Sequence, residues 1–463
     1  MRLPRAAPVS FVAALAIAGA LSLGAAEEGS RTSSTLPVEE LVLDNGMRVL
    51  LAPRPGPGLV AAAWATRRGA GDEPRAGSGA AHLLEHLLHQ GSARVSASDF
   101  ARHYTEAGAV GIDARTDRDL TAYFLRLPPE RLELWFWLES DRLLHPALGA
   151  GNLGVDKPGA VDRELQVIAE ERRQRLEATA MGPLEEELQR LFWRDHPYAA
   201  SAGGGAEALA RLRRADAEAF FATSYGAADL TAVLVGDFDA VQAREMARRY
   251  FGRLPRTRGA GAPAAATTDR TPLPEPGGAP ALVDRTCACP TQARVLYRTV
   301  VADSPDRAAL DVLAGVLSGR SGRLQRSLVA GRRLAFAGSA RHDIGRRGGV
   351  FAVELEARDG TAPQALVEAW DVELARLAAE PPTADEIERV RNQVTTDAWR
   401  GMREPLDFAL RLLVADAQGG WRSLESWPRA VLAVEPADVQ RVARRHLVAE
   451  RRLVARITRG AQR

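Results

Sequence analysis

The sequence predicts an α+β fold built from two copies of one unit of roughly 200 residues. Three observations carry that expectation. Helical and extended patterns alternate along both halves of the chain. Residues 256–280 are rich in Ala, Pro, Gly and Thr, lack periodicity, and read as a linker between the halves. A helix opening at Ala215-Asp216, leading through Tyr225 to the apolar strand Leu230–Val235, recurs 222 residues later as Ala437-Asp438, Leu447 and Leu453–Ile457. At 463 residues the chain exceeds one ordinary domain.

The elements follow in order. Arg2 and Arg5 precede an apolar run from about Val9 to Leu23, and small residues follow at Gly24, Ala25 and Ala26. This reads as a secretory signal over residues 1–26, cut after Ala26, and implies export to the periplasm. No other uncharged stretch reaches the roughly 20 residues of a membrane span. Leu41-Val42-Leu43 and Met47 to Leu51 flank Asp44-Asn45-Gly46, a hairpin signal. An extended apolar run covers Gly58 to Thr66. The domains are thus expected at 37–255 and 281–460.

Composition narrows the function. Hydrophobic residues make up 46% and charged residues 26%, which is globular. The charge of +2, from 61 basic and 59 acidic residues, offers no concentrated basic face for nucleic acid. Lys157 is the only lysine, so nearly all cations are arginine. Cys287 and Cys289 form one Cys-x-Cys: two thiols are too few for a zinc site, and a non-catalytic role is expected.

The chemistry lies in the segment Ser78 to Gly91. Ser78 can cap a helix start and Gly91 can end it in the left-handed conformation. Leu83, Leu84, Leu87 and Leu88 make that helix apolar on most sides, leaving one polar stripe: His82, Glu85, His86 and His89. A buried stripe must be satisfied internally. His82 and His86, one turn apart, can place two imidazole nitrogens about 2 Å from one zinc. Glu85 beside them can take a proton from water whose pKa the metal lowers from about 15.7 to about 7. The order His-x-x-Glu-His inverts the commoner zinc-peptidase motif. Three satisfied core histidines at a chance spacing would read the same way.

A catalytic zinc takes a third protein ligand. In Asp162 to Arg173, Glu164 and Glu171 share a helix face two turns apart, and Glu170 is turned roughly 100° away from Glu171. Glu171 is the candidate ligand and Glu164 the carboxylate that orients one. On spacing alone, solvated ion pairs in this Arg/Glu-rich helix explain both residues as well.

With these residues in order, the chain resembles the pitrilysin/insulysin family of inverted-motif zinc peptidases, above all its shorter bacterial members and the β-type subunit of mitochondrial processing peptidase. The resemblance runs through Asn45 to Val49, Gly69 to Pro74, Gly79 to His86, Gly91-Ser92, Glu164 to Glu171, His196-Pro197-Tyr198, Tyr225, Val235-Gly236-Asp237 and Tyr250 to Pro255. It implies two homologous domains, each an antiparallel sheet flanked by helices, closing as a clamshell around a peptide-binding chamber, with zinc (Zn2+) in the first domain only. The helix near Leu310 to Gly319 has no His/Glu stripe, in keeping with that. It implies a zinc endopeptidase with ligands His82, His86 and Glu171 and base Glu85, pairing substrate as an added strand beside Asp113 and Ala114, where the family has Asn-Ala. A Gly/Pro-rich insertion around Gly149 to Gly159 lengthens the spacing from His86 to Glu171. Active relatives carry an Arg and a Tyr in the second half, and the matching positions here are Val329 and Phe336. The expectation is therefore a catalytic subunit that pairs with a homologous chain supplying Arg and Tyr, or a homodimer. Two alternatives are an enzyme compensated by Arg326, Arg332 or Arg333, and a non-catalytic scaffold of the same fold.

Overall fold

The Asn45-Gly46 turn opens the first unit: Gly46 adopts φ +86°, a region a side chain resists, and joins β1 (Glu39–Val42) to β2 (Arg48–Pro53) as an antiparallel pair. A computed structural model describes residues 36–56, 58–148, 160–257 and 281–460. The expected signal at 1–26, the insertion at 149–159 and most of the linker lie outside them.

The first unit continues with β3 (Val60–Thr66), α1 (Ala80–His89), α2 (Ala97–Glu106), β4 (Val110–Thr116), β5 (Thr121–Leu127) and α3 (Leu132–Leu144). There follow α4 (Ala160–Arg172), α5 (Gly182–Trp193), α6 (Ala206–Arg211), α7 (Arg214–Ser224), β6 (Leu230–Gly236) and α8 (Ala240–Tyr250). The six strands form one sheet in the order β1-β2-β6-β3-β5-β4. The second unit opens with β7 (Ala281–Cys287), β8 (Gln292–Thr299), α9 (Arg307–Leu317), β9 (Ala335–Asp343) and β10 (Gly349–Ala357). Its helices are α10 (Pro363–Ala379), α11 (Ala384–Arg400), α12 (Pro405–Ala417), α13 (Ser423–Ala433) and α14 (Pro436–His446), and it closes with β11 (Arg452–Arg459). This sheet runs β7-β11-β8-β10-β9.

The strand order β2-β6-β3-β5-β4 matches β7-β11-β8-β10-β9 position for position, so the sequence repeat is a repeat of fold. Both ends of α7 precede those of α14 by the expected 222 residues. The sheets are not purely antiparallel, as the resemblance implied. β6 runs parallel to β2, and β11 parallel to β7. The last strand of each unit returns from a long helical excursion, and such a crossover can close in either direction, whereas a tight hairpin cannot.

Alternation along the strands sends Val60, Ala62 and Trp64 into one core and Ala61, Ala63 and Ala65 into another. Burial on both faces is why β3 and β6 are apolar apart from Thr66 and Thr231, whose hydroxyls are hydrogen-bonded. The cover on the second face comes from the other unit. Phe408, Leu412 and Leu413 of α12 pack on Leu50, Ala63 and Val233 of the first sheet. Reciprocally, Leu184, Leu188 and Phe192 of α5 pack on Val350, Ala352 and Ala455 of the second. No described helix is long and apolar enough to cross a membrane.

Because each unit roofs the other's sheet, Leu412→Ala should destabilise the whole molecule by about 2–5 kcal/mol. Urea unfolding followed by circular dichroism and tryptophan fluorescence should give one transition moved to lower urea. Two transitions, with only one displaced, would show that the units unfold independently.

Candidate metal centre

α1 is sealed: Leu83, Leu84, Leu87 and Leu88 are all fully buried. Its start differs in part from the expectation. Gly79 is the first cap position, with φ +82° and no side chain to offer, while the Ser78 hydroxyl accepts from Ala80 N (3.3 Å) as the sequence suggested. Glu73 supplies the rest of the cap from the preceding loop. Its carboxylate accepts from Gly79 N (3.1 Å), Ala81 N (3.0 Å) and the Ser78 hydroxyl (3.0 Å). Two carboxylate oxygens satisfy two helix-terminal amides, which a single hydroxyl cannot do. At the other end Gly91 has φ +88°, and a Cβ there would meet Val95 O at 2.4 Å.

The polar stripe of α1 divides. His82 Nε2 and His86 Nε2 converge to 3.3 Å. α4 crosses α1 and brings Glu171 to them, with one carboxylate oxygen 3.7 Å from His82 Nε2 and the other 3.8 Å from His86 Nε2. Four ligands around zinc at bonds of 2.0–2.1 Å lie about 3.3–3.4 Å from one another, so this donor set fits a tetrahedral cation with little adjustment. Glu164 accepts from His86 Nδ1 (3.1 Å) and from Gln90 Nε2 (2.8 Å), which leaves His86 Nε2 its lone pair. His82 Nδ1 is buried without a hydrogen-bond partner, beside Gly203. Glu170 turns outward onto Arg173 and Gln174. Arg175, an exposed cation, approaches Glu171 at 3.5 Å.

Glu85 lies with the two histidines in one group of potential donors, its Oε2 accepting from the Thr116 hydroxyl. His89 does not join: its Nδ1 donates to Glu85 O (3.0 Å) and its ring lies against Tyr123. Burial, with the charges of Glu171 and Asp113, raises the Glu85 pKa above the usual carboxyl value, against Thr116 and His86. Burial works against a proton on His86, but the Glu164 hydrogen bond and the surrounding carboxylates outweigh it and raise its pKa. His82 is held neutral, its pKa lowered to about 4 by burial first, then by His86 and Arg175.

Asp113 and Ala114 lie on β4, the outermost strand, which pairs with β5 on one side only. Asp113 is exposed and Ala114 half-buried. In the second unit Val329 is buried in the core and Phe336 is 67% exposed on β9. Arg326, a candidate for compensation, is tied to Glu386. Cys287 and Cys289 are joined in a disulfide far along the chain from these groups. Three residues of this centre escaped the sequence reading in these roles: Glu73, Thr116 and Gln90. Two had a signal: Gln90 follows His86 by four residues on the α1 face, and Thr116 follows Ala114 by two on β4.

A family model described as insulinase (peptidase family M16) matches residues 49–201, and one described as peptidase M16 inactive domain matches 211–394. The zinc protease PqqE of Helicobacter pylori is 25% identical over 425 residues, covering 89% of this chain and 90% of that protein. The mitochondrial-processing peptidase subunit beta of Blastocladiella emersonii is 25% identical over 226 residues, 47% of this chain and 44% of that one. The crystal structure of a protease from Helicobacter pylori superposes with a TM-score of 0.80 at 23% identity, covering 91% of this chain and all of that one (100%).

The His82 shift has a definite sign. Its folded pKa lies below the unfolded value near 6.5, so the unfolded chain takes up the proton first as pH falls. His82 therefore costs the metal-free protein stability progressively from about pH 6.5 down to about 4. NMR titration of the histidine rings should find one imidazole, lost in His82→Ala, titrating near pH 4. A normal value for that ring would show that it is solvated.

Proposed function

We propose that this chain, which belongs to the M16 family of insulinase-type peptidases, is a zinc-dependent endopeptidase that hydrolyses peptides or unfolded polypeptide segments. The observation that carries the reading is the convergence of His82 Nε2, His86 Nε2 and Glu171 with Glu85 alongside. In this reading His82, His86 and Glu171 hold the metal and Glu164 orients His86. Zinc, when bound, supplies Lewis-acid polarisation of a carbonyl and a water of lowered pKa. Glu85 takes a proton from water as its oxygen adds to the scissile carbonyl carbon, and delivers one to the amine as the C–N bond breaks. A raised pKa suits a carboxylate that must both accept and release a proton near neutrality. Thr116 fixes the orientation of Glu85 through its hydroxyl. The free edge of β4 at Asp113 and Ala114 offers backbone groups for an added substrate strand, which does not need the family's Asn side chain.

Val329 and Phe336 favour a subunit that works with a homologous partner. Neither can donate a hydrogen bond to an oxyanion, and a donor of that kind is worth about 3 kcal/mol. The apolar N-terminal run supports export to an oxidising space such as the periplasm.

His82→Ala or His86→Ala should abolish stoichiometric zinc in the purified protein, measured by atomic absorption. Glu171→Gln should weaken zinc far more than Glu170→Gln, and the reverse ranking would reassign the third ligand. Glu85→Gln should keep zinc and lose hydrolysis of an unstructured peptide; near wild-type turnover in that variant would place the base elsewhere.

The isolated chain should turn over slowly, and a homologue carrying the Arg and Tyr but lacking the zinc motif should raise the rate by about a hundredfold. Full activity alone, unchanged by any homologue, would remove the partner from the scheme. Zinc binding with no hydrolysis under either condition would turn the reading to a non-catalytic scaffold.

A further inference from the structure

A cavity of about 500 Å³ opens between the two units. Its walls adjoin the metal centre twice. Asp117 and Arg118 follow directly on Thr116, whose hydroxyl holds Glu85. Ser201 and Ala202 lead into Gly203, where an added Cβ would lie 3.8 Å from His82 Nδ1.

The charges lining this cavity are nearly all spoken for. Arg294 pairs with Glu185 at 3.3 Å, and Arg341 pairs with Asp343 (2.7 Å) and with Glu354. Asp117 is held by Arg115 at 2.8 Å. Arg118 is the exception: among the described residues no carboxylate lies within ion-pair distance of it. Its guanidinium instead lies 5.0 Å above the centre of the Tyr198 ring. That ring is fixed from both units, since its hydroxyl donates to the buried Asp119 of its own unit and accepts from Arg347 N of the other (3.0 Å). A cation parked on an immobile aromatic face has lost most of its conformational freedom before any anion arrives, which lowers the entropic cost of capturing one.

We propose that Arg118 is a specificity-determining residue that captures a carboxylate of the peptide substrate. The inference rests on the peptidase reading above and names what that site selects. Arg118 stands in the turn just past the end of β4, so a strand added along the β4 edge runs off over it. A strand antiparallel to β4 carries an acidic side chain of its N-terminal portion to Arg118. A parallel one carries its C-terminal carboxylate there. Both sources share the bidentate chemistry of guanidinium with carboxylate.

The test uses the full chain carrying Glu85→Gln, loaded with zinc, and fluorescence anisotropy of three labelled peptides of one neutral sequence. The first is amidated, the second has a free C-terminus, and the third is amidated with one Glu near its N-terminus. One anionic peptide should bind about tenfold more tightly than the neutral amide at low salt, and which one does so identifies the source. Adding Arg118→Ala should erase that advantage without changing the affinity of the neutral amide, while Arg118→Lys should retain part of it. Equal affinity for all three peptides, or an advantage that survives Arg118→Ala, overturns the proposal. Cleavage of the same peptides by the zinc-loaded wild-type chain is measured separately. Cleavage without charge preference removes only the Arg118 subsite; a preference that depends on Arg118, without cleavage, removes only the peptidase reading.

Discussion

A helix that is apolar on almost every side has to be buried, and burial leaves its polar side chains no water to turn to. That constraint on α1 organises the first unit. Each unpaired buried polar group would cost a few kcal/mol. The surrounding elements therefore bring what the stripe lacks: Glu171 and Glu164 from α4, Thr116 from β4, and Glu73 for the helix start. His82 and His86 are left facing one another with lone pairs to share, which a cation relieves better than a hydrogen bond between two imidazoles can.

The same neighbours set different electrostatics on adjacent turns. His86 has a carboxylate on each side, and these raise its pKa despite burial. His82 is more deeply buried, has no partner at Nδ1 and faces cations, so it stays neutral. Glu85 is as enclosed as His82, and carboxylates near it push its pKa upward. Three groups within two turns of one helix thus differ in proton affinity because of what packs against them, not because of the helix itself.

The second unit reaches this centre without contributing to it directly. The β9–β10 turn places Arg346 on Asp72 (2.7 Å) and Arg347 on Asp72 (2.8 Å), while Arg346 N donates to Asp119 (2.9 Å). Asp72 immediately precedes Glu73, the cap of α1. A buried cluster of this kind adds little net stability as a whole, but removing one member strands the others and costs roughly 3–5 kcal/mol. With α5 and α12 exchanged between the sheets, the two units share a boundary that holds the loop before α1, the Tyr198 ring and the cavity beside Arg118 in one arrangement.

Much was legible in the sequence because it depended on local period and spacing. The Asn45-Gly46 hairpin, the 222-residue repeat and the His/Glu stripe of α1 are all set within a few residues of chain, where backbone geometry leaves few choices. Glu171 could be placed on a face with Glu164 by helical phase, but an ion pair in solvent satisfied the same phase. Helical phase already turned Glu170 away, but only the crossing of α4 over α1 brings Glu171 to the two histidines. The parallel pairings β2–β6 and β7–β11, the part Glu73 takes beside Ser78 in capping α1, and the isolation of Arg118 among paired charges were likewise decided by tertiary structure. Each depends on residues distant in sequence meeting across a boundary, and no periodicity along the chain encodes which of many arginines and carboxylates will meet.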